Sequence, residues 1–445
     1  MIFYIKISAI KKINFTYYIK DMFFFRRKNK KPIYYGWWVS IAGSFNLMIS
    51  SGPTFQAAST LFKAIEDEFG WSRALVSGVA SFGRFGGALF GPIEGWLTDK
   101  FGAGKMILFG FTFAGIGMII FSKISGPLMY YFSFFIVSLG FSLGGFVPSM
   151  HSVNTWMSKR RATGMAIVIS GSSLGGVFVP FIVWSINNYG WRETTLIIGI
   201  VTIIAGPPLS FIIGKKFDGY ENISRKKNID TKSMSHTAFQ YDFKPSEAIK
   251  TRGFWGISIT HTFTNLSVGA VSAHIFFQLT DINGANLSDS LASTILPIMA
   301  FTAFFFQMIG GFVGDKFSKR KVLPFLILIQ GSSLIVLGFA NTYLHSIIFA
   351  LLWGIGFGAR TPMLHALRGE YFGKKHFGMI LGMSSFPMML GMMISPVIVG
   401  RIYDIHKSYE GILYFLGLTC VVASITILFA KKPTPPNIGI YENEK

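Results

Sequence analysis

One cysteine among 445 residues leaves Cys420 without an intrachain partner, so no disulfide, zinc, iron–sulfur or dithiol spacing can be drawn. Charge is scarce too: Asp, Glu, Lys and Arg make up 14% of the chain, with 20 acids against 41 bases. No nucleophile–base pair, phosphate loop or metal set is recognisable, which argues against an enzyme and against any resident metal or cofactor. An uninterrupted apolar signal-peptide core is also missing from the start. The first 35 residues mix Lys6, Lys11, Lys12, Lys20, Arg26 and Arg27 with Phe and Tyr. They read as an interfacial basic-aromatic tail, or in their first part as sequence upstream of a translation start at Met22.

What the chain does have is apolar. A hydrophobic share of 51%, an aromatic share of 16% and a mean hydropathy of +0.49 exclude disordered, collagenous and soluble globular proteins. The apolar residues fall in runs of about 20, each enough to cross a bilayer as helix. Twelve spans are expected, at about 37–61, 74–97, 105–122, 128–153, 162–186, 194–213, 254–279, 290–313, 322–340, 346–367, 377–402 and 411–430. The fold class is therefore an all-α membrane protein of twelve transmembrane helices in two six-helix bundles. Its parts would be an N-terminal tail (1–35), a first bundle (36–213), a polar linker (214–252) carrying Arg225-Lys226-Lys227, a second bundle (253–430) and a C-terminal tail (431–445).

Lysine and arginine sort by side of the membrane. With both termini cytoplasmic, most of them fall in the tails, the linker and loops 2-3, 4-5, 8-9 and 10-11. The outer side receives Lys63, Arg73, Lys123, Arg192, Arg401 and Lys407. That is the positive-inside pattern of a multi-pass plasma (inner) membrane protein. The formal charge of +21 is thus spent on an anionic lipid face rather than on nucleic acid.

The two halves repeat. Gly95-Trp96-Leu97-Thr98-Asp99-Lys100-Phe101-Gly102-Ala103-Gly104-Lys105 recurs as Gly311-Phe312-Val313-Gly314-Asp315-Lys316-Phe317-Ser318-Lys319-Arg320-Lys321. Pro148 and His151 recur as Pro362 and His365, Gly175 as Gly391, and Pro180 as Pro396, all at nearly one offset. An even number of spans per half makes these parallel repeats about an axis along the membrane normal, as in rocking transporters.

The loop 2-3 string, its copy in loop 8-9 and the twelve-span layout resemble the major facilitator superfamily over about residues 36–430. Tyr35-Gly36-Trp37-Trp38, Phe69-Gly70-Trp71-Ser72-Arg73, Trp156-Met157-Ser158-Lys159-Arg160-Arg161 leading to Ser170-Gly171, and Tyr371-Phe372-Gly373-Lys374-Lys375 resemble its monocarboxylate and oxalate–formate branch. In monocarboxylate members a lysine late in helix 1 and an arginine in helix 8 engage the substrate carboxylate. Those positions fall here on Gln56 and Gln307, so the resemblance does not carry over proton–lactate symport.

Several residues are candidates for transport. Asp99 and Asp315, each at a span end, can face the N-terminus of a helix in the other half and latch one side shut. Lys100, Lys316, Arg160, Arg161 and Glu94 are grouped with them as gating residues. Gly83, Gly87, Gly91 and Gly95, spaced by four, make a face for close helix approach, with span 11 and its methionines (Met379 to Met393) the partner implied by the resemblance. Arg84 and Arg360 are intramembrane cations suited to a carboxylate or, alternatively, to structural bonds, for Arg360 near a break at Gly356-Phe357-Gly358. Arg368 reads as interfacial. Span 7 turns Ser258, His261, Thr262, Asn265, Gly269 and Ser272 to one side, and His261 and Asn265 could bond a substrate oxygen. The expected function is secondary transport of a small organic anion by a monomer in the lipid bilayer. The rival readings are export of neutral or lipophilic molecules and a transporter-like nutrient sensor.

Overall fold

The computed structural model describes residues 33–53, 57–215 and 241–436. Apart from Tyr35, the first residue of α1, the helices below lie in the unit Gly36–Lys445. All regular structure among the described residues is helical. The first half comprises α1 (Tyr35–Ser51), α2 (Ala58–Phe69), α3 (Arg73–Phe101), α4 (Ala103–Phe121), α5 (Pro127–Gly144), α6 (Phe146–Trp156), α7 (Arg161–Leu174) and α8 (Val179–Ile213). The short α9 (Pro245–Ala248) precedes a second half of α10 (Arg252–Thr280), α11 (Asp289–Lys316), α12 (Lys319–Gly338), α13 (Tyr343–Phe372), α14 (Phe377–His406) and α15 (Glu410–Phe429).

Local chemistry sets the starts of these helices. Ser72 and Ser288, at equivalent positions of the repeat, accept hydrogen bonds from Leu75 N and Leu291 N and so cap α3 and α11. Thr251 and Thr342 cap α10 and α13 in the same way. Within the described residues, eight helical runs are long and apolar enough to cross a membrane, and one of them, Arg161–Ile213, is long enough for two crossings. Its turning point is Gly190, at φ 86° and ψ 163°, a conformation that suits glycine.

Four expected spans differ from the structure, among them span 5, which divides at a 3-10 turn, Gly175–Phe178, between α7 and α8. Span 1 divides into α1 and a separate helix α2, whose Lys63, Glu66, Asp67 and Glu68 place it outside an apolar layer. Span 4 breaks at Gly145, between α5 and α6, where Asn46 Nδ2 of α1 donates to Gly144 O and to Ser149 Oγ, both at 2.9 Å. The break expected at Gly356-Phe357-Gly358 does not occur, and α13 continues five residues beyond its expected end. The core of the second half runs from Phe243 to Ala430, and in the first half a smaller cluster joins α2, α3, α4, α5 and α8 through Leu61, Val79, Phe121, Phe134 and Trp191. The halves meet chiefly along α3 against α14 and α7 against α11.

Candidate functional site

Two carboxylates bridge the two halves at one end of the molecule. Asp99, at the end of α3, accepts from Gly378 N and Met379 N, both at 2.8 Å, at the N-terminus of α14. Asp315, its repeat copy at the end of α11, accepts from Ala162 N at 2.8 Å and Thr163 N at 2.9 Å at the N-terminus of α7, and from Thr163 Oγ1 at 2.5 Å. Each acid therefore meets the positive end of a helix dipole across the seam. His151 Nε2 stands 3.5 Å from Asp99 Oδ1.

The helices come close at these points because side chains are small. A Cβ on Gly95 would strike the backbone of Gly378, and one on Gly382 that of Gly91. Gly311 and Gly314 face Ala162 and Ala166 across the other seam. The partner of α3 is α14, the pairing that the resemblance implied, and the backbone of Gly378, Met379 and Gly382 makes the approach. The side chains around Gly83, Arg84 and Gly87 lie outside the described residues, as does Gln56.

Further bonds reinforce this end. Asn154 Nδ2 donates to Gly373 O at 2.9 Å, and Lys374 Nζ donates to Thr155 O at 2.8 Å and Ser158 Oγ at 3.0 Å. Buried Lys319 pairs with Glu370, and buried Arg161 lies in the field of Glu370 and Asp315. Asp242, in the linker, accepts from Lys374 N and Lys375 N and so ties the linker to the α13–α14 loop. Lys100 and Lys316 follow the two acids directly in sequence and extend over aromatic rings. Their ammonium groups lie 4.6 Å over Trp96 and 4.3 Å over Phe312, at exposed positions suited to a membrane interface. Arg160 lies 5.7 Å over Trp37. Glu94 is buried and accepts a hydrogen bond from Ser142, with no ion pair among the described residues.

The cations of α13 turn inward. Arg360 Nε donates to Gln330 of α12, and Nη2 lies 3.5 Å from Thr264 O of α10. Its Nη1 has no partner among the described residues. Arg368 is not interfacial: because α13 runs on to Phe372, the side chain is 0% exposed. Its Nε donates to Ser384 Oγ of α14 at 2.6 Å, Nη1 to Leu364 O at 3.1 Å and Nη2 to His261 Nδ1 at 2.9 Å. The His261 and His365 rings meet edge to face at 5.2 Å, and Phe146 of α6 meets His365 at 5.1 Å. Asn265 donates to His261 O at 2.8 Å. Buried Gln307 keeps an Oε1 with no partner among the described residues. Arg368, His365, Lys319, Glu370 and Lys374 were thus absent from the sequence-derived site. His365 was marked by the repeat and Lys319 and Lys374 by the loop strings, while Arg368 and Glu370 depended on the extra length of α13.

Two pseudo-symmetric helical halves that meet along glycine-lined seams, with paired acids bridging them at one end, are the architecture of transporters of the rocking type. The family model of the Major Facilitator Superfamily matches residues 40–282 and again 254–444, and the chain belongs to that superfamily. It is similar to monocarboxylate transporter 2 of Mus musculus, at 23% identity over 88% of this chain and 83% of that one. It is also similar to MFS-type transporter 1 of Ophiocordyceps sp. (strain BCC 1869), at 24% over 78% and 74%. The fold matches the E. coli fucose:proton symporter with a TM-score of 0.67 and 15% identity, covering 89% of this chain and 98% of that one. The human organic anion transporter MFSD10 (TETRAN) gives 0.68 and 11%, covering 89% and 100%. The protein is accordingly a multi-pass membrane transporter, not an enzyme.

Proposed function

We propose that the protein is a secondary active transporter of a small organic anion, of the monocarboxylate class, working as a monomer by alternating access. The observation that carries this reading is the pair of buried guanidinium groups on α13: among the described residues, neither Arg360 nor Arg368 is paired with a carboxylate. A cation in a low-dielectric interior is costly to leave uncompensated, and an anionic cargo relieves that cost. The names of the relatives, monocarboxylate transporters and an organic anion transporter, support the same class.

In this reading His261, Asn265, Gln307 and Arg360, with Arg84 and Gln56, line the substrate path. Asp99, Asp315 and Arg161, with Glu94, Arg160, Lys100 and Lys316 around them, serve the gate. The latched end is cytoplasmic, as are both termini, and the membrane is the plasma membrane. The chain divides into tail 1–35, bundle 36–213, linker 214–252, bundle 253–430 and tail 431–445. Export of a lipophilic cation fits poorly, because it would have to pass two buried arginines.

The test is flux into proteoliposomes holding the purified protein, with radiolabelled lactate, pyruvate, formate and oxalate set against fucose and tetraphenylphosphonium. Saturable uptake of a carboxylate, inhibited by other carboxylates, is expected. Uptake of fucose or the cation with no carboxylate movement would overturn the reading.

A further inference from the structure

We propose that Arg368, His261 and His365 together form the carboxylate-binding site of this transporter. The inference rests on the organic-anion reading and deepens it, since it moves the principal cation from the expected Arg84 and Arg360 to a residue that the sequence placed at the interface.

Hydrogen-bond accounting comes first. A guanidinium has five N–H donors and no acceptor. Arg368 uses three of them, on Ser384 Oγ, Leu364 O and His261 Nδ1, which leaves two. Because arginine can only donate, His261 Nδ1 is an acceptor in this bond, so the neutral ring carries its proton on Nε2 and has that donor to offer. His365, 4% exposed, has an Nδ1 without a hydrogen-bond partner among the described residues, and its ring meets that of His261. Donors therefore converge at the meeting of α10, α13 and α14 with no acidic side chain paired to any of them among the described residues. Two parallel N–H groups of an arginine fork fit the two oxygens of one carboxylate.

The repeat supplies an independent comparison. His365 is the copy of His151, and at the same offset Arg368 is the copy of Asn154 and Arg360 of Phe146. In the first half His151 stands 3.5 Å from the Asp99 carboxylate. In the second half Asp315, the copy of Asp99, bonds Ala162 and Thr163 in the same manner, but His365 faces no acid among the described residues. The second half has thus exchanged a neutral amide for a cation and kept the histidine without its acid. A carboxylate carried by the cargo completes the pattern.

The position suits a transport site. Ser384 lies six residues along α14 from Gly378, about 9 Å at the helical rise, so Arg368 grips the same helix that Asp99 latches. Half-buried Phe146, which packs on His365 from α6, closes the cluster on the side of the other half. Rocking the halves apart draws this ring away and exposes the donors. Discrimination follows from the same donors: a carboxylate fills the fork with two acceptors, whereas a halide offers one centre.

The test uses the purified full-length chain, with sodium pyruvate and sodium chloride as probes at constant ionic strength, read by calorimetry and by ligand-induced thermal stabilisation. Pyruvate is expected to bind the wild type and chloride to compete poorly. Arg368→Gln and Arg368→Lys should weaken pyruvate binding by about 10- to 100-fold, the lysine because it keeps the charge and loses the fork. His365→Gln should weaken it by about 10-fold, and the control Arg401→Gln, at an exposed position, should not. If Arg368→Gln does not fold, the lysine and His365 variants carry the test. Unchanged pyruvate affinity in Arg368→Lys and His365→Gln, with carboxylate flux intact, overturns this site and leaves the transport reading standing. Saturation by chloride that displaces pyruvate overturns it as a carboxylate site. A wild type that neither binds nor moves any carboxylate overturns the transport reading itself, and this site with it.

Discussion

Lys374 brings an ammonium group into the join between the halves, where its three possible donors meet Thr155 O and Ser158 Oγ. Burial, with Arg161 adding repulsion and Asp242 opposing it, pulls this lysine down from the usual 10.5 to about 8. The unfolded chain holds the proton up to the ordinary lysine range, whereas the folded chain releases it near pH 8. The unfolded state therefore binds more protons across that interval, and stability rises with pH from about 8 towards 10.5. Arginine stays charged throughout, so the melting temperature of the wild type should gain on that of Lys374→Arg between pH 7 and pH 9.5. A constant difference would show that the Lys374 proton is not linked to folding. The residue was hidden in the sequence for a physical reason. A lysine in a basic loop reads as a topology signal, and only the packing of α6 against the α13–α14 loop turns it inward. Asp99 and Asp315 were legible because a carboxylate at a helix end has few uses besides meeting a dipole. Arg368 was not, because its meaning depended on a helix end that hydropathy placed five residues too early.

At the scale of elements, most spans could be read directly, since long apolar runs with serine or threonine caps leave few alternatives. The glycines of α3 announced a close approach, while the identity of the facing atoms needed the structure. Gly378 and Gly382 repeat the four-residue spacing of Gly91 and Gly95, so two smooth faces meet and can slide. Leucine at Gly382 would drive its side chain into the Gly91 backbone. Gly382→Leu should insert and express, yet lose at least about 90% of transport, because overpacking of this kind costs roughly 1–3 kcal/mol in one conformation. Normal flux in that variant would show that the seam does not need its glycines. The linker adds a contact that composition concealed, since a polar stretch gives no hint of what it touches. Asp242→Ala removes the acceptor for Lys374 N and Lys375 N, worth about 1 kcal/mol. Amide exchange over the α13–α14 loop should then quicken by roughly fivefold. Unaltered exchange there would mean that the linker rests on the loop without holding it.

For the molecule as a whole, the repeat predicts that the two acid latches are equivalent and act on the same equilibrium. In the proposed gate each acid stabilises the state closed at their shared end, and none of the bonds of Asp99 is shared with Asp315. A charge at a helix N-terminus is worth about 1 kcal/mol, so Asp99→Asn or Asp315→Asn should each shift the balance towards the open state by about fivefold. Independent sites add, and the double variant should shift it by about 30-fold. Spin labels on Lys159→Cys and Lys375→Cys, one exposed position in each half, in a Cys420→Ser background would report this as growth of a longer-distance population. A double variant no different from either single would mean that opening one latch already releases the other, so that the two acids work as one cooperative gate. Distances unchanged in all three would remove both acids from the gate and leave them as turn residues of the repeat.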